Sequence, residues 1–314
     1  MMLSKNAPWS RRNPLLVTGA TVICLLLYVI NAFKPLHNLP PTPDLRPPPS
    51  IPHKIWQIFF GYSPIDQLLG AVQTWPTVNQ DYQYTLMSGD GADKFVRQHY
   101  AQRPDILETF INLKFPVLRS DLLRYLILES QGGVYSDLDT TCVKPFEDWI
   151  PTNMKEEVRA VVGIEYDQGE GEPYFGMDEP IQFCQWTMAT SPAHPIMQKV
   201  VLSVIQSLKQ LAVKNSTTVA GLNPSDDEVI TVTGPVIWSR AVMEALSEAT
   251  GTLMTHKNVT GMQEPKLFGD ILVLPINGFG SGQPHSQSYR GEGTAPDAMV
   301  RHMWKGSWKH GWSN

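Results

Sequence analysis

The stretch that most limits how this chain can fold is residues 115–149, FPVLRSDLLRYLILESQGGVYSDLDTTCVKPFEDW. Pro116 suits a first helical turn, where its missing N–H is no loss, and Val117, Leu118, Leu122, Tyr125, Leu126 and Leu128 recur at helical spacing. Gly132-Gly133 ends that helix, and a short buried strand then delivers Asp137-Leu138-Asp139. Side chains alternate along a strand, so Asp137 and Asp139 are predicted on one face and Leu138 in the core. Two carboxylates that close repel unless a cation sits between them, and a hard divalent ion with oxygen ligands, Mn2+ or Mg2+, fills that role. A bare Asp-x-Asp triplet is also common in solvated turns. Its weight here comes from Asp121 and Arg124, three apart on one face of the preceding helix. Those two are either a surface ion pair of little energetic weight or contacts to a nucleotide and its sugar.

The rest of the chain sets the frame. With 314 residues, 42% hydrophobic and 18% charged, it can bury one substantial core and has no disordered or fibrous signature. The first 50 residues hold Lys5, Arg11, Arg12, Lys34 and Arg46 against only Asp44, which leaves 20 basic and 29 acidic residues in 51–314. That sign is the reverse of a nucleic-acid binder's, and no nucleic-acid partner is expected. Residues 15–33 carry no charged side chain and are long enough to cross a bilayer core of about 30 Å. Lys5, Arg11 and Arg12 precede them, so the positive-inside bias predicts a cytosolic tail at 1–14, a signal anchor at 15–33 and a lumenal remainder. A cleaved signal peptide is the competing reading; the length of the apolar run and the absence of a small-residue cleavage site after it weigh against it. Eight prolines between 35 and 52 make residues 34–52 a semi-rigid stem, leaving 53–314 as the folded domain.

Strands alternate with helices along that domain. Strands are expected at 51–60, at 82–87, at 160–164, before the turn at Gly234-Pro235 and last at 271–274, and helices at 198–212 and 236–249. The pattern predicts an α/β fold with a mainly parallel central sheet, whose sites lie at the carboxyl ends of strands. Cys24 falls in the apolar run, and Cys142 and Cys184 either bridge or stand as separate buried thiols. Asn215-Ser216-Thr217 and Asn258-Val259-Thr260 fit the N-glycosylation sequon.

SDLLRYLILESQGGVYSDLDTTCVKP resembles the signature of the DxD-containing sugar-transferase family, glycosyltransferase family 32, that includes the fungal Golgi α-1,6-mannosyltransferases. IPHKIWQIFFG, QFCQWTMATSPAHP, TGPVIWSRAV, LPINGFGSGQPHS and HMWKGSW are similar, in order and spacing, to the branch that starts the outer chain on N-glycans. The resemblance implies a GT-A-type nucleotide-diphospho-sugar fold behind one transmembrane helix. It implies a retaining, metal-dependent transfer of mannose from GDP-mannose to a high-mannose N-glycan in α-1,6 linkage, in the Golgi. Related activities are a mannosyltransferase acting on mannan or inositol phosphoceramide and a non-catalytic subunit of a mannan-polymerase complex. By resemblance, Asp137, Asp139 and His302 hold Mn2+ or Mg2+, while Asp121 and Arg124 contact the donor. Tyr135, Ser307 and Trp308 lie beside the donor, and Phe59 or Trp56 stacks on its base.

Overall fold

The long helix and the strand after it set the architecture, and glycine sets the angle between them. In the computed structural model the helix runs Pro116–Gln131, with Pro116 in its first turn, and the strand runs Gly133–Ser136. Gly132 and Gly133 both take positive φ, 61° and 102°, and neither has room for a side chain. A Cβ on Gly133 would stand 2.6 Å from the Lys54 carbonyl oxygen, and one on Gly132 would stand 2.7 Å from the Pro192 nitrogen. Gly133→Ala therefore combines left-handed strain with a backbone clash, and is expected to cost roughly 2–4 kcal/mol. A urea midpoint for the variant equal to that of the parent would contradict this.

The structure describes residues 50–61, 65–172, 174, 177, 179–282, 288–289, 291 and 293–305. The anchor at 15–33, nearly all of the stem, Ser307 and Trp308 lie outside them. In chain order the elements are β1 (Lys54–Phe59), α1 (Leu69–Val78), β2 (Gln83–Ser88), α2 (Gly89–His99), α3 (Pro104–Asn112), α4 (Pro116–Gln131), β3 (Gly133–Ser136) and β4 (Thr140–Cys142). There follow β5 (Ala160–Asp167), β6 (Ile181–Phe183), β7 (Thr187–Thr190), α5 (Pro195–Lys214), α6 (Asp226–Val232) and α7 (Pro235–Thr250). The last are β8 (Lys266–Phe268), β9 (Ile271–Leu274), α8 (Ile276–Phe279) and β10 (Val300–His302).

The central sheet has the order β2-β1-β3-β7-β5-β9-β8, with β6 beside β5. Strands β2, β1 and β3 are mutually parallel, as are β5 and β9, while β7 runs antiparallel between β3 and β5. Alternating side chains feed two cores, one on each face. Val162, Ile271 and Val273 join Leu122 and Leu126 of α4, Val200 and Val204 of α5 and Trp238 of α7. Ile55, Val134, Val161 and Leu272 join Trp75, Trp149 and Phe279 on the other face. This is the α/β fold expected, with β4, β6, β7 and β8 as additional short strands and two further differences in its elements. Residues 226–232 are helix rather than strand: Ser225 and Glu228 form a reciprocal capping box that starts α6. A further short strand, β10, follows β9 and pairs antiparallel with β4 as a separate two-stranded sheet.

Cys142 and Cys184 are separate, free and buried, so no bridge braces the aspartate strand. Burial raises both thiols, that of Cys142 to about 11, which leaves them as packing groups. Among the described residues one helical stretch, Asp226–Thr250, is long and apolar enough to cross a membrane, and 61% of its apolar 18-residue window is buried inside the fold.

Candidate active site

β3 ends at Ser136, and residues 137–139 lie in the turn that leads to β4. Leu138 is half-buried rather than a core residue, which corrects the expected strand alternation. Hydrogen bonds within the turn bring the two carboxylates together instead. The Thr140 hydroxyl donates to the Asp137 carbonyl, and Gln57 Nε2 donates to the same oxygen at 2.9 Å. The Asp137 N–H donates to the Trp186 carbonyl at 2.8 Å. Beneath the turn, the Ser136 hydroxyl joins those of Thr140 and Thr187 at 2.8 and 2.6 Å.

β10 supplies the third group. Its pairing with β4 sets His302 opposite Thr140, and His302 Nε2 lies 3.0 Å from Asp139 Oδ1 across 163 residues of sequence. The chain then curls round the same carboxylate. The Met303 N–H donates to the Asp139 carbonyl at 2.8 Å and the Lys305 N–H to Asp139 Oδ2 at 3.0 Å. Trp304 between them takes a φ of 52°, a conformation that side chains larger than glycine rarely adopt. Trp186 stacks on the His302 ring at 4.4 Å and Trp304 meets it edge-on at 3.9 Å, while the two indoles touch each other at 5.3 Å.

One oxygen from each of Asp137 and Asp139 and one His302 nitrogen lie within 4.8 Å of one another, the group of this kind found among the described residues. The donor set fits one divalent ion: carboxylate oxygens with a single imidazole suit Mn2+ and admit Mg2+. The electrostatics point the same way. Burial raises the Asp137 carboxyl, Arg124 opposes that and Asp139 adds to it. Burial also raises Asp139, but His302 and the Lys305 amide together hold it below the usual carboxylate range. The repulsion between Asp137 and Asp139 is what a cation between them would relieve. The buried His302 Nδ1 has no hydrogen-bond partner among the described residues.

Behind the pair lies a buried ionic chain. Arg124 Nη2 is 2.9 Å from Asp121 Oδ1 and 3.4 Å from Asp137 Oδ1, and its guanidinium lies 5.0 Å from the centre of the Tyr135 ring. The Tyr135 hydroxyl donates to Asp137 Oδ1 at 2.5 Å. The other Asp121 oxygen accepts the Thr233 hydroxyl at 2.7 Å. Asp121 is 3% exposed and Arg124 5%, so the surface ion pair of the sequence reading is a buried one. Burial raises Asp121 to about 6 despite Arg124, and the two carboxylates raise Arg124 beyond its usual value against the cost of its burial.

Of the two base-stacking candidates, Trp56 is a core residue whose indole donates to the Gly132 carbonyl at 2.9 Å. Phe59 is half-buried at the carboxyl end of β1. Sequence reasoning missed Gln57, Thr233, Gln185, Trp186 and Trp304. All five fall inside the blocks quoted for the family resemblance, but no local pattern marks them as neighbours of the aspartates.

The α/β fold thus brings an Asp-x-Asp turn and a distant imidazole together at a strand's carboxyl end. Residues 66–155 match the profile of the family described as "Glycosyltransferase sugar-binding region containing DXD motif". The chain is similar to the initiation-specific alpha-1,6-mannosyltransferase of Schizosaccharomyces pombe, 32% identical over 82% of this chain and 64% of that one. It is also similar to the Candida albicans protein of the same name, 31% identical over 76% of this chain and 66% of that one. The chain thus spans slightly less than two thirds of the length of these relatives. Among solved structures, the PaToxG glycosyltransferase aligns with a TM-score of 0.43 and 18% identity over 65% of this chain and 73% of that one.

Proposed function

We propose that this protein is a metal-dependent retaining glycosyltransferase of the GT-A type. It moves mannose from GDP-mannose to a high-mannose N-glycan in α-1,6 linkage. The observation that carries this reading is the convergence of Asp137, Asp139 and His302 within 4.8 Å, with the Arg124 charge directly behind them. A divalent ion held there would stabilise the charge that gathers on a departing diphosphate.

The chain's own residues prepare the place. Asp137 and Asp139 are fixed as ligands by the turn, and His302 by the two indoles packed against it. Tyr135 and Arg124 orient Asp137. Asp121, with both oxygens engaged by Arg124 and Thr233, sets the guanidinium for sugar or phosphate, where a planar, permanently charged donor is well suited. Phe59 is the better placed of the two aromatic candidates for the base, and Ser307 and Trp308 are assigned to the diphosphate on the family resemblance. Retention of configuration fits a front-face route, in which the departing diphosphate accepts the acceptor hydroxyl's proton.

The setting proposed is a Golgi membrane protein with residues 15–33 as signal anchor, 34–52 as stem and 53–314 in the lumen, where it is open to partnership in a mannosyltransferase complex. Both sequon asparagines, Asn215 and Asn258, are exposed, in keeping with that side.

The test is transfer by the full chain from GDP-mannose to a high-mannose N-glycan, with Mn2+ or with chelator. Addition of one α-1,6-mannose that the chelator abolishes is the expected result. Folded protein that binds GDP but transfers nothing to this acceptor would sink the acceptor assignment, and folded protein that binds no GDP would sink the enzymatic reading.

A further inference from the structure

Trp186 touches both halves of the proposed metal centre. Its carbonyl accepts the Asp137 N–H at 2.8 Å, and its ring lies on the His302 imidazole with centroids 4.4 Å apart and planes 15° apart. It is therefore the one described side chain seen to contact His302 by its ring and Asp137 by its backbone. Its own orientation is set from the far side: the indole Nε1–H donates to Glu165 Oε1 at 3.3 Å. The other Glu165 oxygen accepts Gln182 Nε2 at 3.0 Å. Glu165 is 7% exposed near the carboxyl end of β5, and Trp186 is 5% exposed. Phe279, which lies over Gly163 so closely that a Cβ there would stand 2.4 Å from its ring, backs the same indole at 6.3 Å.

A carboxylate at a buried strand end must be hydrogen-bonded to offset its desolvation, a demand that an apolar residue of similar size would not make. An apolar wall would pack Trp186 as well, but it would not fix the rotation of the indole about its own axis. A hydrogen bond to Nε1 does. We propose that Glu165 is a positioning residue for the metal centre: through the Trp186 indole it sets the plane of His302 and the backbone of Asp137. Groups one shell out from a metal ligand commonly set its affinity in this manner. The inference rests on the metal-dependent reading proposed above.

The experiment is Mn2+ binding by the full chain without substrate, with free Mn2+ followed by electron paramagnetic resonance. Glu165→Ala is expected to weaken binding about tenfold, the usual loss when an outer-shell partner is removed. Glu165→Gln keeps an acceptor oxygen for the indole and should stay within about threefold of wild type. Trp186→Phe keeps an aromatic ring but has no N–H, and should weaken binding about as much as Glu165→Ala. The double variant Glu165→Ala/Trp186→Phe should be no weaker than either single one, because the two residues act as one unit.

A folded Glu165→Ala protein with wild-type Mn2+ affinity would overturn the proposal, and so would additive losses in the double variant. If Glu165→Ala does not fold, Trp186→Phe and Glu165→Gln decide: weak binding by the first and near-normal binding by the second support it, and any other pairing overturns it. Wild-type protein that binds no Mn2+ would overturn the metal reading and this inference together, whereas failure of the variants alone would leave the metal reading standing.

Discussion

Asp137→Asn and Asp139→Asn are each expected to lower Mn2+-dependent mannosyl transfer by at least about a hundredfold, the scale seen when a main source of transition-state charge stabilisation is lost. Both substitutions keep side-chain size and an oxygen but remove the charge that holds a divalent ion. The two should differ in what else they disturb. Asp139 anchors residues 302–305 through its carbonyl and both carboxylate oxygens, contacts that asparagine reproduces in part. Asp137 is a partner of Arg124, so its loss leaves more positive charge buried. Asp137→Asn is accordingly the variant expected to shift the melting temperature as well as activity. Initial rates at saturating GDP-mannose, with thermal melts of the same preparations, separate the two effects. Transfer by either variant within a few-fold of wild type would remove the pair from the chemistry.

Arg124→Met is the largest stability change expected in the molecule. It leaves Asp121, 3% exposed, without its cation and removes the charge 3.4 Å from Asp137. Breaking a buried ion pair from one side typically costs about 3–5 kcal/mol, because the remaining charge is stranded in a poor dielectric. Arg124→Lys should recover little, since one ammonium cannot face both carboxylates and also reach the Gln185 carbonyl, as the guanidinium does. Combining Arg124→Met with Asp121→Asn should recover part of the loss, because the stranded charge is then gone. Chemical denaturation of the four proteins measures this, and an Arg124→Met protein as stable as wild type would show that the chain of charges is not strained by burial.

The same chain has a pH signature. Asp121 is raised to about 6 by burial, above the value near about 3.9 of an unfolded aspartate, so the folded protein holds this proton more tightly. The contribution is therefore fully present below about pH 4, declines as pH rises toward 6 and is flat above that. Two pH units correspond to at most about 3 kcal/mol, shared with the coupled Arg124 and Asp137. The difference in stability between wild type and Asp121→Asn, followed from pH 4 to pH 7, should carry this slope. A difference that does not change with pH would refute it.

Much of the fold was legible because its signals are local. Pro116, the apolar spacing after it and Gly132-Gly133 predict the helix Pro116–Gln131 and its sharp exit, and the structure has both. The capping box at Ser225 and Glu228 was equally readable, yet Thr231-Val232-Thr233 before the turn at Gly234-Pro235 suggested a strand; the reciprocal cap and packing beside α7 outweighed that preference. The two carboxylates were legible as a pair, but their convergence was not. It comes from a turn stitched by Thr140, Gln57 and the Trp186 carbonyl rather than from the alternation of a strand.

By itself the sequence determined which chemical groups are available and which of them are close along the chain: two aspartates separated by one residue, and an aspartate and an arginine about one turn apart on the helix before them. Only the tertiary structure decided what surrounds them. Spacing on a helix shows that Asp121 and Arg124 share a face, but burial depends on Thr233 and Gln185 arriving from elsewhere to cover it. In the same manner His302 becomes a ligand only through the pairing of β10 with β4, since nothing in a three-residue strand specifies its partner. Hydrogen bonds and packing across long loops made both choices, and they are non-local by nature.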